Sequence, residues 1–242
     1  MRLQRFLAQA GVASRRAAEQ LIAGGSVKVN GATVTALGTQ VNVRDDRVEV
    51  DGRRVVPERP IYRLMLKPRA CLATLKVTGD RPTLARFLRD PEPGLQVVAP
   101  LDFPAEGLVL LTNDGELAER VAKPPRGRAG IPMTYHLKLQ GKVSDDEITR
   151  LLRGWKWEGR PIRPQAIQTL AATDKNMWLE MVVDETRPRA LKAAGELIRH
   201  TVLKISRVRL GGVSFEGLPM GGWRDLTRVE VADLRRRAGL EA

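Results

Sequence analysis

Leu101-Asp102-Phe103-Pro104-Ala105-Glu106-Gly107-Leu108-Val109-Leu110-Leu111-Thr112-Asn113-Asp114-Gly115 sets an acid, Asp102, in a loop directly ahead of an unbroken apolar run. Leu108 to Thr112 is strand-sized, and a clean apolar run of that length next to turn signals reads as a buried strand. Asn113-Asp114-Gly115 supplies the turn, and Glu116 to Ala122 reads as a short helix after it. The alternation continues in both directions. Upstream, Tyr62 to Lys67 reads as a strand and Thr83 to Leu88 as a helix. Downstream, Tyr135 to Leu139 alternates as a strand, and Asp145 to Leu152 is helical with Leu151 and Leu152 inward. Trp178 to Val183 is a strand, Arg189 to Ile198 a helix, and Val202 to Leu210 a final long strand. Strands and helices intermix without regular βαβ repetition, which predicts the α+β class, here a mixed, mainly antiparallel sheet with flanking helices over residues 61–238.

The first 58 residues form a separate, smaller α/β unit. Leu3, Phe6, Leu7 and Ala10 follow the spacing of an amphipathic helix, and Gly11 suits the left-handed position that closes it. Ser14 caps a second helix, with Leu21 and Ile22 on its apolar side and Gly24-Gly25 at its end. The period then changes. Val27 and Val29 lead into the hairpin dipeptide Asn30-Gly31. Val41 and Val43, then Val48 and Val50 before Asp51-Gly52, repeat the strand pattern. Pro57 and Pro60 bracket a linker.

A formal charge of +13, from 41 Lys and Arg against 28 Asp and Glu, points to a polyanionic partner, nucleic acid before an anionic membrane surface. No apolar run approaches the roughly 20 residues that a membrane-spanning helix requires. Cys71 is the only cysteine, and His136 and His200 are the only imidazoles. That removes intrachain disulfides and thiolate zinc sites, and fits a reducing cytoplasm. Nothing in the pattern demands a dimer, so a monomer is expected. Residues 1–43 carry Arg2, Arg5, Arg15, Arg16 and Lys28 against the single acid Glu19. Arg15 and Arg16 fall in the first turn of a helix, where the helix dipole already favours an anion, so their placement calls for a phosphate-bearing partner or a simple solvated basic face.

On its own chemistry Asp102 fits a turn-former, a helix cap or a catalytic acid on a loop. Glu106, Asp114 and Glu116 scatter around a turn in the manner of solvated carboxylates, and no metal site is expected from them.

Two resemblances narrow these alternatives. Gly11-Val12-Ala13-Ser14-Arg15-Arg16 followed by Val27-Lys28-Val29-Asn30-Gly31 resembles the ribosomal-protein S-four-type RNA-binding domain. The resemblance implies recognition of folded RNA by shape and phosphate contact, with Arg5, Ser14, Arg15, Arg16 and Lys28 as contacts. The second region resembles the RsuA-type ribosomal-RNA pseudouridine synthases. The residues that carry this are Lys67-Pro68, the 101–115 segment, the Tyr135 to Leu139 strand, Glu185 to Lys192, His200 to Gly211, Leu218-Pro219 and Gly222-Trp223-Arg224.

By that likeness Asp102 is the catalytic acid, Tyr135 stacks on a flipped-out uracil, and Lys192 is the cation beside the carboxylate. Lys67, Lys123, Arg126, Arg128, Arg187 and Arg189 are implied as further RNA contacts. The implied partners are ribosomal RNA or ribosome-assembly intermediates, and the implied chemistry uses neither metal nor organic cofactor. The Leu37-Gly38-Thr39 segment resembles the branch that acts on the large subunit. Four positions depart from the family pattern: Pro100 in place of arginine, Ala105 of serine or threonine, Met133 of a basic residue, and Ala190 of glutamine. Two readings of different class follow, an active synthase or a relative that keeps the fold and RNA grip as a ribosome-assembly factor. A nucleobase glycosylase, which would release free uracil, is a third.

Overall fold

The computed structural model describes residues 1–43, 45–56, 59–77, 79–89, 91–92, 94–123, 129–185 and 187–240. They divide into two compact units, Met1–Ile61 with Glu92–Leu95 and Asn113–Gly115, and Tyr62–Pro91 with Gln96–Thr112 and Glu116–Ala242.

In the first unit helix α1 (Leu3–Gln9) buries Leu3, Phe6 and Leu7, and Gly11 takes φ +69° beyond its end. Ser14 caps α2 (Arg15–Ala23) by accepting from the Ala17 N–H at 3.3 Å. Strands β1 (Val27–Val29), β2 (Ala32–Thr33), β3 (Val48–Val50) and β4 (Arg53–Val55) form an antiparallel sheet in the order β2-β1-β3-β4. Its two tight turns use Asn30-Gly31 and Asp51-Gly52, all four residues at positive φ. The helices bury their apolar faces on the sheet in a core of Leu3, Phe6, Leu7, Ala18, Ile22, Val27, Val41, Val48 and Val50. The strand expected at Val41 to Val43 does not form. The Asn42 N–H donates to the Asp46 carboxylate at 2.7 Å and the Asp46 N–H returns to the Asn42 carbonyl, so a side-chain turn takes the bonds a ladder would need.

The second unit is built on one mixed sheet. In chain order its elements are β5 (Tyr62–Lys67), β6 (Gln96–Val98), β7 (Glu106–Thr112), α3 (Gly115–Ala122), β8 (Met133–Gln140), α4 (Asp145–Leu152), β9 (Trp155–Trp157), β10 (Arg160–Ile162), β11 (Ala166–Ala172), β12 (Asn176–Val183), α5 (Pro188–Leu197), β13 (Val202–Leu210), β14 (Val213–Ser214), β15 (Trp223–Asp225) and α6 (Arg228–Arg237). The sheet runs β11-β12-β8-β13-β7-β5-β15, with β6 added to β7 and β14 to β13. Its pairings are antiparallel except β7 with β13, which is parallel. β9 and β10 form a separate hairpin.

The uninterrupted apolar run of β7 is explained by its position, since every residue of the strand is buried. Gly107 lies opposite Arg207 at φ +117°, and a Cβ there would meet the Arg207 carbonyl oxygen at 2.2 Å. Only glycine fits. The helix expected at Thr83 to Leu88 shortens to a 3₁₀ turn at Leu84–Phe87, because the Leu84 N–H is drawn to the Leu72 and Thr74 carbonyls. In α4, Leu151 is buried as expected whereas Leu152 faces outward. Among the described residues no helix is long and apolar enough to cross a membrane.

Candidate active site

The backbone of Asp102 is fixed before its side chain is considered. Its carbonyl accepts from the Ala105 N–H at 3.1 Å, closing a turn, and from Lys67 Nζ at 3.1 Å. Lys67 ends β5 fully buried, and its ammonium also donates to the carbonyls of Ala105 (2.6 Å) and Pro68 (3.1 Å). Burial pulls its pKa from 10.5 down to about 8, against the opposing effect of Cys71, Asp102 and Glu106. The expectation that Lys67 touches RNA is therefore corrected. It staples the acid-bearing loop from beneath, its ammonium donating to three inward-facing carbonyls.

The two carboxylate oxygens of Asp102 have unlike surroundings. Oδ1 lies 3.5 Å from Arg189 Nε, whereas Oδ2 is buried without a hydrogen-bond partner. Asp102 shares a cleft of about 60 Å³ with Arg69, Pro104, Ala105, Pro188, Lys192 and residues 202–205 of β13. Lys192 thus reaches the same cleft, but the cation paired with Asp102 among the described residues is Arg189. Both project from one face of α5, three residues apart, and Arg189 stands nearer its start beside the acid.

Tyr135, on β8, is fully buried. Its hydroxyl donates to the Glu185 carbonyl at 2.9 Å and accepts from Arg207 Nε and Nη2 at 3.0 and 2.9 Å. Burial pushes the phenol pKa up and Arg207 opposes this, while the charges of Glu185 and Asp102 add to the rise. Arg207 is itself fully buried on β13, its Nη1 donating to the carbonyls of Ala99 (2.6 Å) and Leu108 (3.1 Å). Sequence reasoning missed it. The available signal was an arginine in the inward-facing alternation of β13, two residues after the buried Ile205.

Other candidate residues divide into engaged and exposed. Arg187 is engaged within the protein, paired with both oxygens of Glu185 (3.0 and 2.9 Å) and with Glu158 (3.3 Å), and lying 4.2 Å over the Trp157 ring. The Glu185 hydrogen bonds hold its pKa up. Arg189 is 75% exposed despite its ion pair, and Lys123 is exposed near the end of α3. Arg126 and Arg128 lie outside the described residues. In the first unit Arg15, Arg16 and Lys28 are exposed, Arg5 is half-buried on α1, and Ser14 uses its oxygen on the helix cap. Of the four departures from the family pattern, Ala105, Met133 and Ala190 are buried apolar residues and Pro100 is exposed. Among the described residues no group of three or more His, Cys, Asp or Glu side chains is arranged to hold a metal ion.

A family model of the S4 domain matches residues 1–48. Over 242 residues the chain is 38% identical to the uncharacterized RNA pseudouridine synthase of Aquifex aeolicus (strain VF5), with 100% of this chain and 96% of that one covered. It is 36% identical over 239 residues to ribosomal large subunit pseudouridine synthase B of Bacillus subtilis (strain 168), with coverage of 98% and 96%. Its fold matches a crystal structure of pseudouridylate synthase at a TM-score of 0.64 and 26% identity, covering 97% of this chain and 99% of the other. The α+β class and the resemblance read from the motifs are both borne out. Identity of this extent along nearly the whole of both chains exceeds what a shared fold alone requires, and the chain belongs to the RNA pseudouridine synthase family.

Proposed function

We propose that this protein converts a uridine of ribosomal RNA, in the large subunit, to pseudouridine, with Asp102 as the reacting carboxylate and the first unit as an RNA grip. The observation that carries the reading is the contrast between the two Asp102 oxygens, one beside Arg189 and the other buried and unpartnered. A buried acceptor left unpaired costs free energy in the resting protein, and such an orphan is rarely retained without use. Here it is the oxygen left for a ribose carbon to approach.

In the reaction the carboxylate engages ribose carbon 1′ as the bond from that carbon to uracil N1 breaks. The detached base turns, carbon 5 bonds to carbon 1′, the carbon 5 proton passes to water and N1 takes one up. Atoms and electrons balance within the nucleotide and solvent, so the chemistry calls for neither metal nor organic cofactor. A stacked uridine is out of reach and must be flipped toward the acid. The present cleft is narrow, about 60 Å³, so entry of the base is expected to part its side chains. Arg189, exposed for most of its length, is the side chain that yields most readily. Tyr135 is fully buried and does not line the cleft, so its ring serves the base only once the side chains above it part; its hydroxyl is committed to three hydrogen bonds and its pKa is raised away from that of a base.

The test is release of tritium from large-subunit ribosomal RNA labelled at uracil carbon 5. Wild type is expected to release it and Asp102→Asn to release none, with RNA affinity within about twofold. Release that persists in Asp102→Asn removes the acid from the mechanism. No release by wild type, with RNA still bound, leaves an RNA-binding role in ribosome assembly.

A further inference from the structure

The β9–β10 hairpin is a two-stranded sheet outside the main one, and hairpins of that size are marginal alone. This one is anchored. Trp155 and Ile162 are buried, and the Trp155 indole donates to the Ala190 carbonyl of α5 at 2.9 Å. At its base Gly154 takes φ +92°, where a Cβ would meet the Ile162 carbonyl oxygen at 2.4 Å, so the two strands close as tightly as the backbone permits. Trp157 carries Arg187 over its ring, two residues before the Arg189 that pairs with Asp102. The arm is therefore seated on the first turns of the helix that serves the acid.

Its exposed side chains are one-sided in charge. Residues 150–163 contain Arg150, Arg153, Lys156, Arg160 and Arg163 against the single acid Glu158. Arg150 and Arg153 lie at the C-terminal end of α4, where the helix dipole accounts for them, and the acids Asp145, Asp146 and Glu147 sit at the opposite end of that helix. Lys156, Arg160 and Arg163 have no such explanation. All three are exposed, and among the described residues none is in an ion pair. Elsewhere in the same unit exposed arginines do find acids, as Arg236 and Arg237 both do in Asp233. On the hairpin the one acid that would neutralise the turn is engaged by Arg187 instead.

We infer that the β9–β10 hairpin is a second RNA-binding arm, in which Lys156, Arg160 and Arg163 hold backbone phosphates of the strand flanking the target nucleotide. Phosphate is the ligand that three exposed, uncompensated cations fit, and the seat on the first turns of α5 puts the hairpin on the helix that bears Arg189, the partner of Asp102. The inference rests on the reading of Asp102 as the reacting acid.

It is tested on the full chain by measuring affinity for a large-subunit ribosomal RNA transcript across a salt series, together with tritium release from the same RNA. For Lys156→Ala/Arg160→Ala/Arg163→Ala we expect affinity to fall about tenfold or more, and the plot of log affinity against log salt to become shallower by about two. The loss in turnover should fall on KM rather than kcat. Lys142→Ala/Lys175→Ala/Arg199→Ala removes the same charge near the far end of α5 and should leave affinity within about threefold. Unchanged affinity and slope in the hairpin variant, or an equal loss in the control, overturns the inference. If wild type releases no tritium the synthase reading fails separately, and the salt slopes still judge the arm.

Discussion

Lys67 brings together burial, charge and position in one side chain. Three carbonyl oxygens surround its ammonium, two of them in the loop that bears Asp102, and its pKa falls from 10.5 to about 8 because burial disfavours the charged form. Between those two values the unfolded chain binds more protons than the folded one, so this residue makes stability rise with pH from about 8 to 10.5. Urea denaturation across that window is expected to show the rise in wild type and to lose it in Lys67→Met. The substitution also takes the donor from the Pro68 and Ala105 carbonyls, while the Asp102 carbonyl keeps the Ala105 N–H, at a cost on the order of 1 kcal/mol or more for each carbonyl that loses its donor. A rise of equal size in both proteins would show that the lysine titrates at its ordinary value. Asp102, by contrast, was legible as a residue and not as an environment. Its place before a buried strand marked it, whereas the unlike state of its two oxygens depends on α5, which lies far along the chain.

At the scale of elements, the long periodic segments were readable because their burial repeats locally. β8, β12, β13 and α5 appear within a residue or two of the stretches whose alternation announced them. Short or tertiary-dependent pieces were not. The Val41 to Val43 strand was lost to an Asn42–Asp46 turn, and the 83–88 helix to hydrogen bonds from Leu72 and Thr74. The separate β9–β10 hairpin and α6 were not anticipated at all. The parallel junction of β7 with β13 is the most demanding of these contacts. Gly107→Ala would place a Cβ 2.2 Å from the Arg207 carbonyl oxygen at a φ that alanine disfavours. A destabilisation of about 3 kcal/mol or more is expected, read as a lowered urea midpoint with loss of tritium release. A midpoint near that of wild type would mean that β7 can shift along β13 without cost.

For the whole molecule, the charge of +13 makes RNA affinity a salt-dependent quantity. Arg16 and Lys28 are exposed cations of the first unit. Arg16→Ala/Lys28→Ala is expected to weaken binding to the ribosomal RNA transcript and to make the salt plot shallower by about two. A slope identical to wild type would remove these residues from the RNA contact. By itself the sequence determined the α+β class, the main strands, the S4-like beginning and the family, because periodicity, turn dipeptides and ordered motifs are properties of neighbouring residues. Tertiary structure alone decided that Arg189 rather than Lys192 meets the acid, that Lys67 is internal, and that Arg207 holds Tyr135 from 72 positions away. Such pairings depend on where separate strands and helices come to rest when the core closes, and the local pattern of each element does not encode that distance.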